Sequence, residues 1–167
     1  EEPFFWAKYN KNAMADLIKR IIARNTFDLV QLEYNVMHHY TEYVGEVPKV
    51  IVFHDISTKV HESGMIHDQS SYHKKSYQIS KKIEPLIARK FDGIITLTAA
   101  DKAYLEQIGC ERNVSIVPPQ IIIPTLPDIQ KVPNSLCFVG SFNRRPNIQA
   151  IEILVEEICP IISKNLQ

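Results

Sequence analysis

Hydrophobic residues along the chain recur in two patterns, one typical of amphipathic helices and the other of short buried strands. Between residues 10 and 24 they recur at helical spacing, which predicts a helix whose inner face carries Met14, Leu17, Ile18, Ile21 and Ile22. Short apolar runs predict strands at residues 27–33, 49–53, 92–97 and 114–117. Helices are predicted between them, near residues 36–44, 73–90 and 98–109. Alternation at this spacing implies parallel β-α units, so the predicted fold class is α/β.

Three local features refine these helices. Residues 56–72 are polar and are predicted to form a loop or an irregular helix. Pro85 is expected to kink or split the helix over residues 73–90. Thr98 and Asp101 have the spacing of a capping box at the start of the following helix. The helix over residues 73–90 is expected to direct Tyr77, Ile83, Leu86 and Ile87 towards the core.

The last part of the chain predicts one further β-α unit. Residues 136–139 form a short apolar run typical of a strand, and Gly140 and Ser141 allow a sharp turn after it. Pro146 and Asn147 then begin a helix, kinked near its end by Pro160. One face of this helix is expected to lie on a sheet; it consists of Ile151, Leu154, Val155, Ile158 and Ile162.

A strand, a glycine turn and a helix start together present backbone N–H groups, which is a geometry that binds anions in α/β proteins. Arg144 and Arg145 add positive charge beside this turn. The alternative interpretation is an ordinary strand-to-helix connection with two solvated arginines. The pattern is not a nicotinamide fingerprint, because Gly-x-Gly-x-x-Gly is absent.

A proline-rich stretch divides the chain. Five prolines without helical or strand periodicity indicate an extended, fairly stiff connector; they are Pro118, Pro119, Pro124, Pro127 and Pro133. The predicted organisation is therefore a first α/β domain over residues 1–117, a linker over residues 118–135 and the first unit of a second domain over residues 136–167.

Composition narrows the class of protein. The 167 residues are 45% hydrophobic, and their 19 basic and 19 acidic residues balance, so no global field favours nucleic acid. No apolar run approaches the roughly 20 residues that span a bilayer. Three scattered cysteines suit a reducing, intracellular compartment, and we expect a cytoplasmic location; they are Cys110, Cys137 and Cys159.

The ends of the sequence and one basic region add two expectations. The start, Glu1-Glu2-Pro3, resembles neither a signal peptide nor a translation start, so we expect a piece of a longer protein. Basic residues on the helix over 73–90 predict a solvated face. The alternative is peripheral contact with phosphates at the inner face of the membrane. These residues are Lys74, Lys75, Lys81, Lys82, Arg89 and Lys90.

Polar residues that follow two of the predicted strands are candidates for chemistry. Glu33 ends one strand, and His54 and Asp55 follow the next. In a parallel sheet, side chains just beyond the carboxyl ends of the strands line the ligand crevice. The alternative is an aspartate that caps the next turn and a histidine satisfied by a backbone carbonyl. The histidines between residues 38 and 73 lack metal-ligand spacing, so no metal site is predicted.

Several of these stretches, in this order, resemble group 1 glycosyltransferases, which are family four enzymes of the GT-B fold. The resemblance extends from the helix before Phe27 to Pro160, and the ordered set of motifs carries it rather than any single one. The motifs are Phe27–Glu33, Val50–Asp55, Phe91–Thr98 with Asp101, Val114–Pro118, and Phe138–Phe142 with Arg145–Asn147.

This resemblance implies two Rossmann-like domains that face one another. It implies retaining transfer of a sugar from a nucleotide-sugar donor, without a required metal or further cofactor, to a glycan or lipid-linked acceptor on the N-terminal domain. A bacterial enzyme of surface-polysaccharide synthesis is the expected class. His54 falls where such enzymes place a histidine beside the donor sugar, and it is the predicted catalytic residue. The predicted substrate-binding residues are Glu33, Asp55, Gly140, Ser141, Phe142 and Arg144.

The chain departs from that family in three respects. It lacks the opening units with their Gly-rich loop, its second domain stops after one β-α unit, and Pro119-Gln120 stands where the family usually has Asn-Gly. We therefore expect this chain alone to be inactive. Without the opening strands, the strand at residues 29–32 is expected to expose an edge and cause self-association.

Two alternatives belong to other classes of protein. The first is a non-catalytic GT-B-like module for binding or assembly, which the departures from the family favour. The second is an unrelated α/β enzyme such as a nucleotide-sugar epimerase. That class needs an N-terminal Gly-rich fingerprint, which this sequence does not show.

Overall fold

The computed structural model describes residues 4–68, 71–110, 113–122, 130 and 132–165. The chain forms two compact units, Glu1–Ile121 and Ile122–Gln167. The predicted domain limits at residues 117 and 135 stay a prediction, because residues 123–129 and 131, with Pro124 and Pro127, lie outside the described part.

A four-stranded sheet forms the centre of the first unit. The strands β1 (Val30–Glu33), β2 (Lys49–Phe53), β3 (Gly93–Thr96) and β4 (Val114–Ile116) lie side by side in chain order, and every neighbouring pair is parallel. Their β-branched residues suit a sheet that is covered by helices. The predicted α/β class with parallel units is confirmed, and the arrangement is compatible with a Rossmann-like fold.

Helices make the connections between these strands. Helices α1 (Phe4–Ala7) and α2 (Asn12–Arg24) precede β1, and a 3₁₀ helix (Asn35–Tyr43) joins β1 to β2. Helices α3 (Ser57–Asp68) and α4 (Ser71–Ala88) join β2 to β3, and α5 (Ala99–Gln107) joins β3 to β4. No helix in the described part of the chain has the length and apolar character needed to cross a bilayer.

The predicted loop or irregular helix over residues 56–72 is wrong, and of the two effects expected at Pro85 a split helix is excluded. Most of residues 56–72 belong to regular helices, chiefly α3. Helix α4 also runs through Pro85 without being split. Pro85 lies near the end of α4, so its missing N–H removes only one hydrogen bond of the final turns. The last turn still closes through Arg89 N–H, which donates to the Pro85 carbonyl at 3.3 Å.

The hydrophobic core of the first unit is formed by residues of the central strands together with residues of the surrounding helices. Its largest fully buried apolar side chains are Trp6, Ile51, Phe53, Ile56, Ile87, Phe91, Ile94 and Leu105. Two predicted inner faces are buried only in part. On α2, Ile18 packs against the core, but Met14, Leu17 and Ile21 are each about two-fifths exposed. On α4, Ile87 is buried and Ile83 packs against the core, but Leu86 is 55% exposed. The side of α2 stays open because β1 is the edge strand, and no described segment covers it.

In the second unit, described residues 132–144 are irregular and the helices begin at Arg145. Helix α6 (Arg145–Ile153) continues through a π-helical segment (Leu154–Ile158) into α7 (Cys159–Asn165). The predicted strand at residues 136–139 is wrong: the segment has no partner strand among residues 132–165, and a single strand is not stable alone. For the same reason the predicted apolar face finds no sheet, and no side chain of α6 or the π segment is buried.

Pro160 makes the helix irregular in the turn before it. Without an N–H it cannot donate to the carbonyl four residues earlier, and the preceding turn widens into the π segment. Cys159 N–H then donates to the carbonyl of Leu154. The expected irregularity is therefore a π-helical segment directly before the proline.

Candidate functional site

Glu33 and His54 meet at the carboxyl edge of the sheet. The parallel register places Glu33 opposite Val52, and residues two apart on a strand project to the same side, so His54 falls beside Glu33. His54 Nε2–H donates to Glu33 Oε2 at 2.7 Å, because a carboxylate can only accept. The two side chains are 31% and 48% exposed, so a ligand can reach both.

The charge of Glu33 follows from these contacts. The hydrogen bond from His54 and a second one from Gln31 hold the pKa of Glu33 below its ordinary value, against a smaller opposing effect of burial. Glu33 is therefore ionised at neutral pH. The arrangement is a carboxylate that fixes one nitrogen of an imidazole, and it leaves Nδ1 of His54 without a hydrogen bond to the described residues.

Tyr34 has an unusual backbone conformation directly after Glu33. Its φ is 70° and its ψ 138°, a conformation that residues with a Cβ rarely adopt and that costs on the order of 1–3 kcal/mol. Its ring stacks on the imidazole of His54, with centroids 4.1 Å apart and planes at 21°. The imidazole is therefore held at its edge by Glu33 and on its face by Tyr34.

A fully buried carboxylate, Glu84 of α4, anchors the start of α3. Its oxygens accept from Ser57 N–H at 2.7 Å and from Thr58 N–H at 3.1 Å, which are among the free donors of the first helical turn. They also accept from the Thr58 hydroxyl and from Asn35 Nδ2, the latter at 2.9 Å. Burial raises the pKa of Glu84, and the hydrogen bonds from Thr58, Ser57 and Asn35 oppose that shift.

This network positions both sides of the site. Asn35, which follows Tyr34, also donates to Ser57 Oγ at 2.9 Å. The segment after β1 and the start of α3 are thereby fixed to the same carboxylate. Helix α3 in turn carries some of the residues that line two neighbouring cavities.

The first of these, which we call the polar cavity, has a volume of about 390 Å³ and is lined by His54, Asp55, Lys59, Ser63 and Asp101, with Ile56 and Val60. Lys59 Nζ donates to Asp101 Oδ1 at 2.8 Å. Burial raises the pKa of Asp101, but hydrogen bonds from Lys59 and Thr98 together lower it below its ordinary value. Thr98 caps α5 by accepting from Asp101 N–H at 3.0 Å, which confirms the capping pattern predicted at this helix.

The second, which we call the aromatic cavity, has a volume of about 550 Å³. Its aromatic lining consists of Tyr9, Tyr34, His61, Tyr72 and His73, and its polar lining of Asn35, Asp55 and Ser57. Burial, together with the charge of His73, lowers the pKa of His61, whose Nδ1 lies 3.3 Å from Nδ1 of His73. Apolar faces with a few polar groups are the usual lining of a small-molecule site.

The predicted anion-binding turn lies in the second unit. Gly140 does not have positive φ, so the expected reason for a glycine is wrong. A Cβ at this position would lie 2.9 Å from the Phe138 ring, which would have to shift to make room for it. The Ser141 carbonyl accepts from Arg144 N–H at 3.1 Å and from Asn147 Nδ2 at 3.0 Å, which closes the turn. Arg144 is exposed at the start of α6, and Phe142 is 61% exposed beside Phe138.

Other reactive groups take little part in this site. Among the described residues, no cluster of three or more histidine, cysteine, aspartate or glutamate side chains could hold a metal ion. The side chain of His67 lies outside the described residues. Cys110 is buried, and burial raises the pKa of its thiol to about 12. It therefore behaves as a small apolar residue.

The structure adds three residues that sequence patterns missed, namely Tyr34, Asn35 and Glu84. Ser76, Ser80 and Glu84 recur every fourth position and are all buried on α4. This repeat of polar residues at helical spacing could have indicated the buried face of α4. A search for apolar faces does not detect it. Tyr34 and Asn35 leave no periodic signal at all.

In the first unit Glu33 pairs with His54, and Asp55 lines the polar cavity with His54. The other predicted site residues lie in the second unit; they are Gly140, Ser141, Phe142 and Arg144. Comparisons of the chain with protein-family models, curated proteins and solved structures found no match.

Proposed function

We propose that the chain is part of a retaining, group 1-like glycosyltransferase of the GT-B type, which moves a sugar from a nucleotide-sugar donor to a glycan or lipid-linked acceptor. The observation that carries the proposal is the hydrogen-bonded pair of His54 and Glu33. It lies at the carboxyl edge of a parallel sheet, where α/β proteins bind ligands, and beside two cavities.

His54 is the residue that would contact the donor sugar. Its Nε2 is occupied by Glu33, so its Nδ1 is the atom that can accept a hydrogen bond from a sugar hydroxyl. The ionised Glu33 keeps the proton on Nε2 and stabilises positive charge that develops on the ring. A transfer with charge separation gains from such fixed, preorganised groups.

The donor diphosphate would be held by the turn at Gly140 and Ser141 and the start of α6. Phe142 and Arg144 lie on the same turn. Free N–H groups of a first helical turn and a nearby arginine favour an anion, and they favour it more as negative charge builds on the leaving diphosphate. This role belongs to the second unit.

The aromatic cavity would hold the acceptor. Sugar rings combine apolar C–H faces with hydroxyl edges. In this cavity the rings of Tyr9, Tyr34 and Tyr72 can contact the C–H faces. The carboxylate of Asp55 can accept hydrogen bonds from the hydroxyls. Asp55 also lines the polar cavity with His54. An acceptor hydroxyl in the aromatic cavity would therefore lie near the histidine.

The proposal is tested by changing His54 in the transferase that contains this chain. His54→Ala should lower the rate of sugar transfer by about 10²-fold while the melting temperature stays unchanged. Tyr43→Ala, a change of an aromatic residue outside both cavities, is the control. Transfer at the unaltered rate in the His54→Ala variant would overturn the proposal. The 167-residue chain alone should release no nucleotide from a panel of nucleotide sugars above the rate without protein.

A non-catalytic glycan-binding module is the second candidate, and the aromatic cavity favours it because that cavity is complete within the first unit. Under this function, Tyr72→Ala would abolish binding of oligosaccharides to the chain, whereas His54→Ala would leave it unchanged. No nucleotide sugar would then bind or react in either form of the protein.

A further inference from the structure

Tyr34 occupies the junction between the His54–Glu33 pair and the aromatic cavity. Successive residues of an extended strand project to opposite sides. Glu33 and Tyr34 are adjacent, yet both contact the same imidazole, Glu33 through a hydrogen bond and Tyr34 through its ring. The positive φ of Tyr34 is what interrupts the alternation and makes both contacts possible.

The surrounding structure holds this conformation in place from three sides. Glu33 is bound by His54 and Gln31, and Tyr34 N–H donates to the Val52 carbonyl at 3.0 Å. Asn35 is fixed by its amide to Glu84 and Ser57. Strained residues persist when their neighbours determine the backbone in this way, and they concentrate at functional sites.

We propose that Tyr34 is a positioning residue, whose ring fixes the plane of the His54 imidazole so that Nε2 points to Glu33 and Nδ1 remains open to a substrate. The ring is 49% exposed and forms part of the aromatic cavity. It therefore contacts the histidine from the side on which the cavity ligand would lie. The catalytic meaning of this role rests on the proposed function, but the positioning itself does not.

The experiment compares three substitutions in the 167-residue chain. Tyr34→Phe keeps the stacked ring, Tyr34→Leu removes it, and Tyr34→Gly removes it while tolerating positive φ. The matched control is Tyr72→Leu, because Tyr72 lines the same cavity and is similarly exposed, but its ring contacts His61 and His73 instead of His54.

The readout is the ring-proton resonances of His54, identified by their loss in His54→Gln, together with the rate at which diethyl pyrocarbonate modifies His54. Tyr34→Phe and Tyr72→Leu should leave both unchanged. Tyr34→Leu should remove the upfield ring-current shift and raise the modification rate severalfold. Tyr34→Gly should do the same without lowering the melting temperature, and it provides the result if the leucine variant does not fold.

The inference is overturned if the His54 resonances and modification rate of a folded Tyr34→Leu or Tyr34→Gly variant equal those of the wild type. In a transferase containing the chain, Tyr34→Leu should lower kcat by about 10-fold with little change in the KM for the nucleotide-sugar donor, and Tyr34→Phe should keep the wild-type kcat. If no donor reacts although the stack is present, the proposed function fails while the positioning role stands.

Discussion

At the scale of single residues, the hydrogen bond from His54 determines the protonation of Glu33. It is the largest cause of the lowered pKa of Glu33, and the bond from Gln31 is the second. A carboxyl group whose pKa is lowered by folding contributes stability above its unfolded-state pKa, and this contribution is lost as the pH falls through the folded-state pKa. Because Glu33 is half exposed, the effect on stability is small and the pKa itself is the better observable.

We predict that His54→Ala raises the pKa of Glu33 towards its ordinary value of 4.5. The measurement is a pH titration of the Glu33 carboxyl carbon by NMR. Gln31→Ala is the matched control and should raise the pKa less, since the bond it removes is the weaker cause. An unchanged Glu33 titration in His54→Ala would show that the pair does not exist in solution.

At the scale of elements, the position of α3 depends on a carboxylate supplied by α4. Glu84 accepts from two N–H groups at the start of α3, from the Thr58 hydroxyl and from Asn35. An amide in its place would present its own N–H groups to neighbours that donate. Removing an acceptor from buried donors costs the desolvation of those donors.

We predict that Glu84→Gln lowers the free energy of unfolding by about 1–3 kcal/mol, and that Glu84→Ala lowers it further. Glu106→Gln on α5 is the control, because its exposed pair with Lys102 should contribute no more than about 1 kcal/mol. Urea denaturation at neutral pH measures all three. Equal stabilities of Glu84→Gln and Glu106→Gln would contradict the anchoring role.

Sequence patterns predicted the elements of the first unit well and their burial less well. Strands β1 to β4 and helices α2 and α5 follow from apolar spacing, because each is built mainly by local pattern. Apolar spacing does not predict which residues of α4 are buried, because packing between α3 and α4 decides this. Ser76, Ser80 and Glu84 are buried, whereas Leu86 is exposed. The failed strand at residues 136–139 has the same origin: a strand needs a partner, and hydrophobicity does not show whether one is there.

Some residues of the candidate site could be predicted from the sequence and others could not. Glu33, His54 and Asp55 were predicted because they follow strands, and the carboxyl edge of a parallel sheet is set by topology. Tyr34 was not predicted, because its role depends on one backbone angle. Asn35 was not predicted either, because its hydrogen-bond partners Ser57 and Glu84 lie 22 and 49 residues away in the chain.

At the scale of the whole molecule, β1 is an edge strand of the sheet, and its outer side lies beside apolar surface of the first unit. Val30 and Tyr34 N–H groups donate towards β2, to Pro48 and Val52, so the alternate N–H groups of β1 face away from the sheet. Between this edge and α2 lies an apolar groove of about 350 Å³, lined among others by Met14, Ile18, Ile21, Phe27 and Leu32. Unpaired strand edges beside apolar surface pair with other chains.

We predict that the chain self-associates through this edge, so that its apparent mass by light scattering rises with concentration. Ile21→Lys, on α2 in the lining of this groove, should shift the association to higher concentration, because a charge must then be desolvated on contact. Leu86→Lys is the matched control, a leucine of similar exposure on α4, and should leave the association unchanged. A monomer at high concentration would refute the prediction. Equal effects of the two lysines would place the contact elsewhere, because Ile21 lines the groove beside the open edge and Leu86 does not.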